Sequence, residues 1–122
     1  MKIKTQDLIG AALDWAVWAA SGGAAAYPKT TSGPAFLKLW RSNTTKYVHP
    51  STDWAQGGPI IEREHIALDY YHTPIHPDVQ PRWEARHGSG VFEYGPTPLI
   101  AAMRAYVASK LGDEVEVPEE LV

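Results

Sequence analysis

At 122 residues, 44% of them hydrophobic and 20% charged, the chain has the size and balance of one soluble globular domain, residues 1–122. It has no cysteine, which excludes disulfides, cysteine-ligated zinc and thiol catalysis. Its net charge of −3 argues against nucleic acid as a partner, because nonspecific binding needs several cations to displace counterions.

The charge is uneven. Residues 1–50 carry +4 and residues 51–122 carry −7. Such halves suit head-to-tail contacts between copies, although a mixed solvated surface explains them as well. Five Trp and six Tyr are many for this length. Aromatics fill cores, and they also anchor interfaces and pockets. No apolar run reaches the roughly 20 residues that span a bilayer. Met1-Lys2-Ile3-Lys4 leads into Thr5-Gln6-Asp7, where a signal peptide would have an apolar core. The expectation is a cytoplasmic protein with no membrane partner.

Met1–Lys4 alternates and reads as a short strand. Thr5 reads as an N-cap, with helix from Asp7 to Ala20 and Ser21-Gly22-Gly23 as its stop. Leu8, Ala12, Trp15 and Ala19 form one apolar stripe, and Ile9, Leu13, Ala16 and Ala20 its neighbour. Tyr27–Pro34 and Arg41–Pro50 read as loops, with a strand over Phe36–Trp40 between them.

Ser51–Glu64 is the most informative stretch. Ser51 can cap a short turn through Asp53 and Trp54. Gly58-Pro59 can open a second helix, since proline is tolerated at a first helical position. Ala67–Tyr71 then reads as a strand. His72–Pro81 holds three prolines and must be a loop or an edge. Trp83–His87 and Val91–Tyr94 around Gly88-Ser89-Gly90 read as a hairpin. Thr97 caps a helix with Pro98 in its first turn, running to Lys110 with Gly112 as stop. Asp113–Val122 reads as an acidic tail that need not fold. The elements add up to an α+β domain, with a small antiparallel sheet packed against an N-terminal and a C-terminal helix.

Two blocks carry a family resemblance. Ser51-Thr52-Asp53-Trp54-Ala55-Gln56-Gly57-Gly58-Pro59-Ile60-Ile61-Glu62-Arg63-Glu64 and Gly95-Pro96-Thr97-Pro98-Leu99-Ile100-Ala101-Ala102-Met103-Arg104 resemble the hallmark blocks of the phage NinX family, small proteins of tailed phages and prophages. Met1–Thr5, Gly10–Val17 and Val107–Glu114 are similar to it too; the resemblance is poor over residues 18–48 and 69–91. The resemblance implies a phage origin and the host-cell cytoplasm. It implies no reaction and transfers no site residues.

The residues themselves nominate a ligand site. Trp54 can stack on a base, Asp53 can accept from ribose hydroxyls, and Gln56 can read a base edge. Gly57 and Gly58 allow backbone N–H groups to approach a phosphate, and Arg63 can clamp an anion. The structural reading is that Asp53 caps a turn, Trp54 fills the core and the glycines relieve the backbone. Metal is not expected. Pro74 and Pro77 break the helix that His72 and His76 would need, and Glu62-x-x-His65 lacks a third ligand. No cofactor fingerprint or nucleophile motif is present.

The expected function is therefore a non-catalytic binder that sequesters a small nucleotide-derived ligand, such as a host defence signal, with homo-oligomerisation completing the pocket. One alternative is an inhibitor that docks on a host protein through Trp15/Trp18, Tyr70-Tyr71 and the proline loop. The other is a small hydrolase using Asp53 with Glu62 or Glu64.

Overall fold

The computed structural model describes residues 1–22, 48–72 and 80–122. The loop expected over Tyr27–Pro34 and the strand over Phe36–Trp40 lie outside the described residues. So do most of the expected 41–50 and 72–81 loops.

The helix Pro98–Leu111 (α3) is the centre of the fold. Thr97 Oγ1 accepts the Ile100 N–H at 3.1 Å, Pro98 sits in the first turn, and Gly112 ends the helix at φ +87°. Local chemistry thus sets both ends. Leu99 to Met103 and Ala105 to Ala108 are all buried. A helix that is apolar all round needs cover on every side. One side packs on a three-stranded antiparallel sheet of Ala67–Tyr71 (β2), Arg82–Arg86 (β3) and Phe92–Gly95 (β4). Another packs on Gly10–Ala20 (α1). The protein is α+β, with helices near both ends of the chain flanking the sheet.

The hairpin register pairs Trp83 with Gly95 and Arg86 with Phe92. Its turn is pinned to the helix Trp54–Arg63 (α2) by His87, whose Nε2 lies 2.9 Å from Glu64 Oε1. The Ser89 N–H donates to His87 Nδ1 at 3.0 Å, so Nε2 carries the proton that Glu64 receives. His87 is the main reason that the Glu64 carboxyl is held below its usual range. The clamp therefore weakens as acid protonates Glu64.

Three elements differ from the sequence expectation. The N-terminal helix starts at Gly10, not near Asp7. Thr5–Asp7 is a 3-10 turn, and Ile9 is extended and 55% exposed. Gly10 enters the helix at φ +60°, which favours glycine. Residues 54–63 are one helix, not a turn followed by a helix opened at Pro59. Asp53 caps it, and Pro59 sits inside at the cost of one backbone bond. It ends in a Schellman arrangement. The Ile66 N–H donates to Ile61 O at 3.0 Å, around His65 at φ +54°.

The acidic tail is ordered. Glu114–Glu116 (β5) pairs with Lys2–Lys4 (β1), in register Lys2↔Glu116, Ile3↔Val115 and Lys4↔Glu114. Lysines face glutamates, which favours this register electrostatically. Thr5 donates through N–H to Asp113 O and through Oγ1 to Gly112 O. Val115, Val117 and Leu121 join the core.

Candidate functional site

Residues 48–53 form a short loop fastened at three points. Val48, Pro50 and Ser51 are buried. The Ser51 N–H donates to Asp14 Oδ1 of α1 at 2.9 Å. The His49 N–H donates to Gln56 Oε1 at 2.8 Å, and the Thr52 and Asp53 N–H groups both donate to the His49 carbonyl. This loop sets where α2 begins. Asp53 Oδ1 accepts the Ala55 N–H at 2.9 Å, satisfying one of the orphan donors of a helix start. Its other oxygen lies 3.7 Å from His49 Nε2.

Trp54, the first helical residue, points out. Its side chain is 54% exposed. Beside it lies a cleft of about 230 Å³, lined by Ser51, Thr52, Trp54 and the first residues of the Thr97–Ile100 corner. The starts of α2 and α3 thus border the same opening.

The remaining nominated residues are elsewhere. Gln56 turns back onto the loop backbone. Gly57 packs so closely that an added Cβ would lie 2.5 Å from both the Pro50 carbonyl oxygen and Leu99 Cδ2. Gly58 faces open space. Arg63 is nine residues along the helix, about 13 Å from Trp54 at 1.5 Å per residue. Its Nε lies 3.1 Å from Glu64 Oε2, and its guanidinium carbon 5.7 Å from the Tyr106 ring centre. The structure therefore brings Trp54 together with Ser51, Thr52 and the Thr97–Ile100 corner. It does not bring Asp53, Gln56, Gly57 or Arg63 into the lining of that cleft.

Asp14 is the residue that sequence reasoning passed over. A carboxylate on a helix otherwise made of Gly, Ala, Leu, Val and Trp is the available signal. It is 3% exposed. Burial pushes its pKa up from 3.8 to about 6, against the opposing pull of the Ser51 hydrogen bonds and of His49. The folded protein thus favours the protonated acid. The stability this contributes is complete below pH 3.8 and is lost as pH rises through about 6. Asp14→Asn keeps an acceptor for Ser51 and removes the titration. We expect it to match the wild type near pH 3.5 and to exceed it at pH 8 by up to about 3 kcal/mol, from 1.36 kcal/mol per pKa unit. Urea unfolding at the two pH values measures the difference.

The family model described as "Bacteriophage P22, NinX" matches residues 4–110. The chain belongs to the NinX family. The match takes in the 48–53 loop, all of α2, the hairpin and all but the last residue of α3, hence both walls of the Trp54 cleft. This makes it an accessory protein of phage. No curated protein matches the chain. Among the described residues no helix is long and apolar enough to cross a membrane. No group of three His, Asp or Glu side chains among them is placed to hold a metal ion.

Proposed function

We propose that this NinX-family protein is a non-catalytic binder of a small, planar, nucleotide-derived molecule, such as a host defence signal, which it sequesters during infection. One observation carries the reading: a tryptophan left half in water at the mouth of a cleft. An indole can gain several kcal/mol by burial, so an exposed one beside a concavity offers a planar ligand a stacking surface. A base stacked on Trp54 would have Thr52 and Thr97 within the same opening for polar contacts. The cleft, at about 230 Å³, is smaller than the roughly 300–1,000 Å³ of pockets that enclose whole ligands. A second copy of the chain closing over the indole would supply the missing cover, so the sequestering form is a homo-oligomer.

Asp53, Gln56 and Gly57 support this site by fixing the loop and the helix start, and Gly58 keeps the helix surface beside it open. Arg63 enters only if the partner copy brings its own α2 terminus to the cleft.

The test is fluorescence quenching by adenosine and guanosine nucleotides, with native mass spectrometry of the protein from infected cells. Trp54→Ala should abolish the saturable quench while shifting stability by no more than about 0.5 kcal/mol, as for a surface residue. Quenching that survives in Trp54→Ala would end the proposal.

A second reading has its own observation. Tyr71 and Phe92, 45% and 51% exposed, lie on one face of the sheet, which suits docking on a host protein, while Tyr70, 58% exposed, points to the opposite face. Trp18 does not join that surface, being 7% exposed. Recovery of one stoichiometric host protein, lost in Tyr71→Ala/Phe92→Ala, would favour it over the sponge.

A further inference from the structure

A second concavity, of about 390 Å³, borders Gly95 and Pro96 and shares no lining residue with the Trp54 cleft. Gln6, Asp7, Arg82, Glu93, Tyr94 and Arg104 are among its walls. Arg82 decides its character. Its register partner is Tyr71, and Tyr94 lies diagonally across on β4. The guanidinium carbon sits 3.9 Å from the Tyr94 ring centre and 5.5 Å from that of Tyr71. Two rings thus hold the fork.

No hydrogen-bond acceptor meets that fork among the described residues. Nε is shielded from water and has no partner. Glu84, on the same face of the strand, pairs with Arg86 at 3.1 Å instead. A guanidinium carries five N–H donors, cannot lose its charge, and is costly to leave unpaired where water is partly excluded. Arg104 adds a second cation, immobilised by donating from Nε to Leu8 O and from Nη1 to Tyr94 O, both at 2.8 Å.

We propose that this cleft binds a small oxyanion-bearing ligand, with Arg82 gripping its phosphate or carboxylate group through the guanidinium fork. Clamping by Tyr71 and Tyr94 leaves little side-chain freedom to lose on binding. Asp7 and Glu93 on the same walls define the rest of the ligand. They repel a bare polyanion and accept from hydroxyls, so the preferred molecule is a hydroxylated monoanion or dianion of sugar-phosphate type. The site is independent of the Trp54 cleft.

The experiment titrates the whole protein at constant ionic strength with inorganic phosphate, ribose 5-phosphate and acetate. It follows the Arg82 Nε–H signal by NMR and heat by calorimetry. Saturable binding is expected, with ribose 5-phosphate tighter than inorganic phosphate. Arg82→Gln should weaken it about tenfold or more, and Arg82→Lys, which keeps charge without the fork, by less. Trp54→Ala should leave it unchanged. Saturation by acetate in preference to phosphate would keep the site and assign it to carboxylates. An Arg82 signal unmoved by all three probes would overturn the proposal, and so would equal affinity in Arg82→Gln. Should Arg82→Gln fail to fold, the wild-type Nε–H response decides alone.

Discussion

Deleting residues 113–122 should unfold the protein. The segment reads as a solvated acidic tail, yet Val115, Val117 and Leu121 are 5%, 1% and 8% exposed. At about 1.5–3 kcal/mol for each buried aliphatic side chain, their loss removes roughly 5–9 kcal/mol. A small domain has only about 5–15 kcal/mol in total. The deletion also strips β1 of its strand partner, leaves the Thr5 N–H without the Asp113 carbonyl, and uncovers Ile3 beside the core. Circular dichroism and urea titration of the truncated chain provide the measurement. A cooperative transition at the wild-type midpoint would show that the strand pairing contributes nothing.

The second large effect is expected at Gly95. A Cβ there would lie 2.6 Å from the Ala101 nitrogen and 3.0 Å from its Cα. Those are backbone atoms of the first turns of α3, the most buried element, and cannot step aside as a side-chain end can. Gly95→Ala must push β4 away from the helix. We expect a loss of about 3 kcal/mol, near the top of the overpacking range. At this chain length that lowers Tm by about 10 °C. Gly58→Ala is the matched control. Its Cβ would meet nothing within 4 Å beyond its own helix and chain neighbours, and the helix-propensity gain is offset by Pro59, whose Cδ crowds a preceding Cβ, so stability should change by no more than about 0.5 kcal/mol. Equal melting temperatures for the two variants would mean that β4 and α3 are not in the close contact described.

What could be read from the sequence was what is locally encoded. The cap, proline and stop glycine of α3 lie within a few residues of its ends, and the hairpin is marked by its own Gly-Ser-Gly turn. Thr5 resembles a cap and so suggests too early a start for α1, whereas its hydroxyl is committed to Gly112, 107 residues away. The Gly-Pro pair inside α2 looked like a boundary because proline usually is one. Asp53 upstream supplied a stronger start, and the helix ran through. The order of the tail is not legible locally, because its partner is residues 2–4 and no local pattern reports a pairing over that separation.

The candidate site divides along the same line. Asp53, Trp54, Gln56, Gly57, Gly58 and Arg63 are close in sequence, but a helix turns them to different sides, so only Trp54 among them lines the cleft. The opposite wall, Thr97–Ile100, comes from the other family block, and proximity of the two blocks is a tertiary fact. Arg82 and Arg104 stood out in neither composition nor spacing. Stacking on Tyr94, and hydrogen bonds to two carbonyls, are what single them out.

The pairing of β1 with β5 also sets a clock. A ribosome releases residues 2–4 long before residues 114–116, and must translate 116 before their ladder can close. Until then the nascent chain holds an unpaired edge and an uncovered apolar patch, so the step that closes this ladder waits on the synthesis of more than a hundred intervening residues.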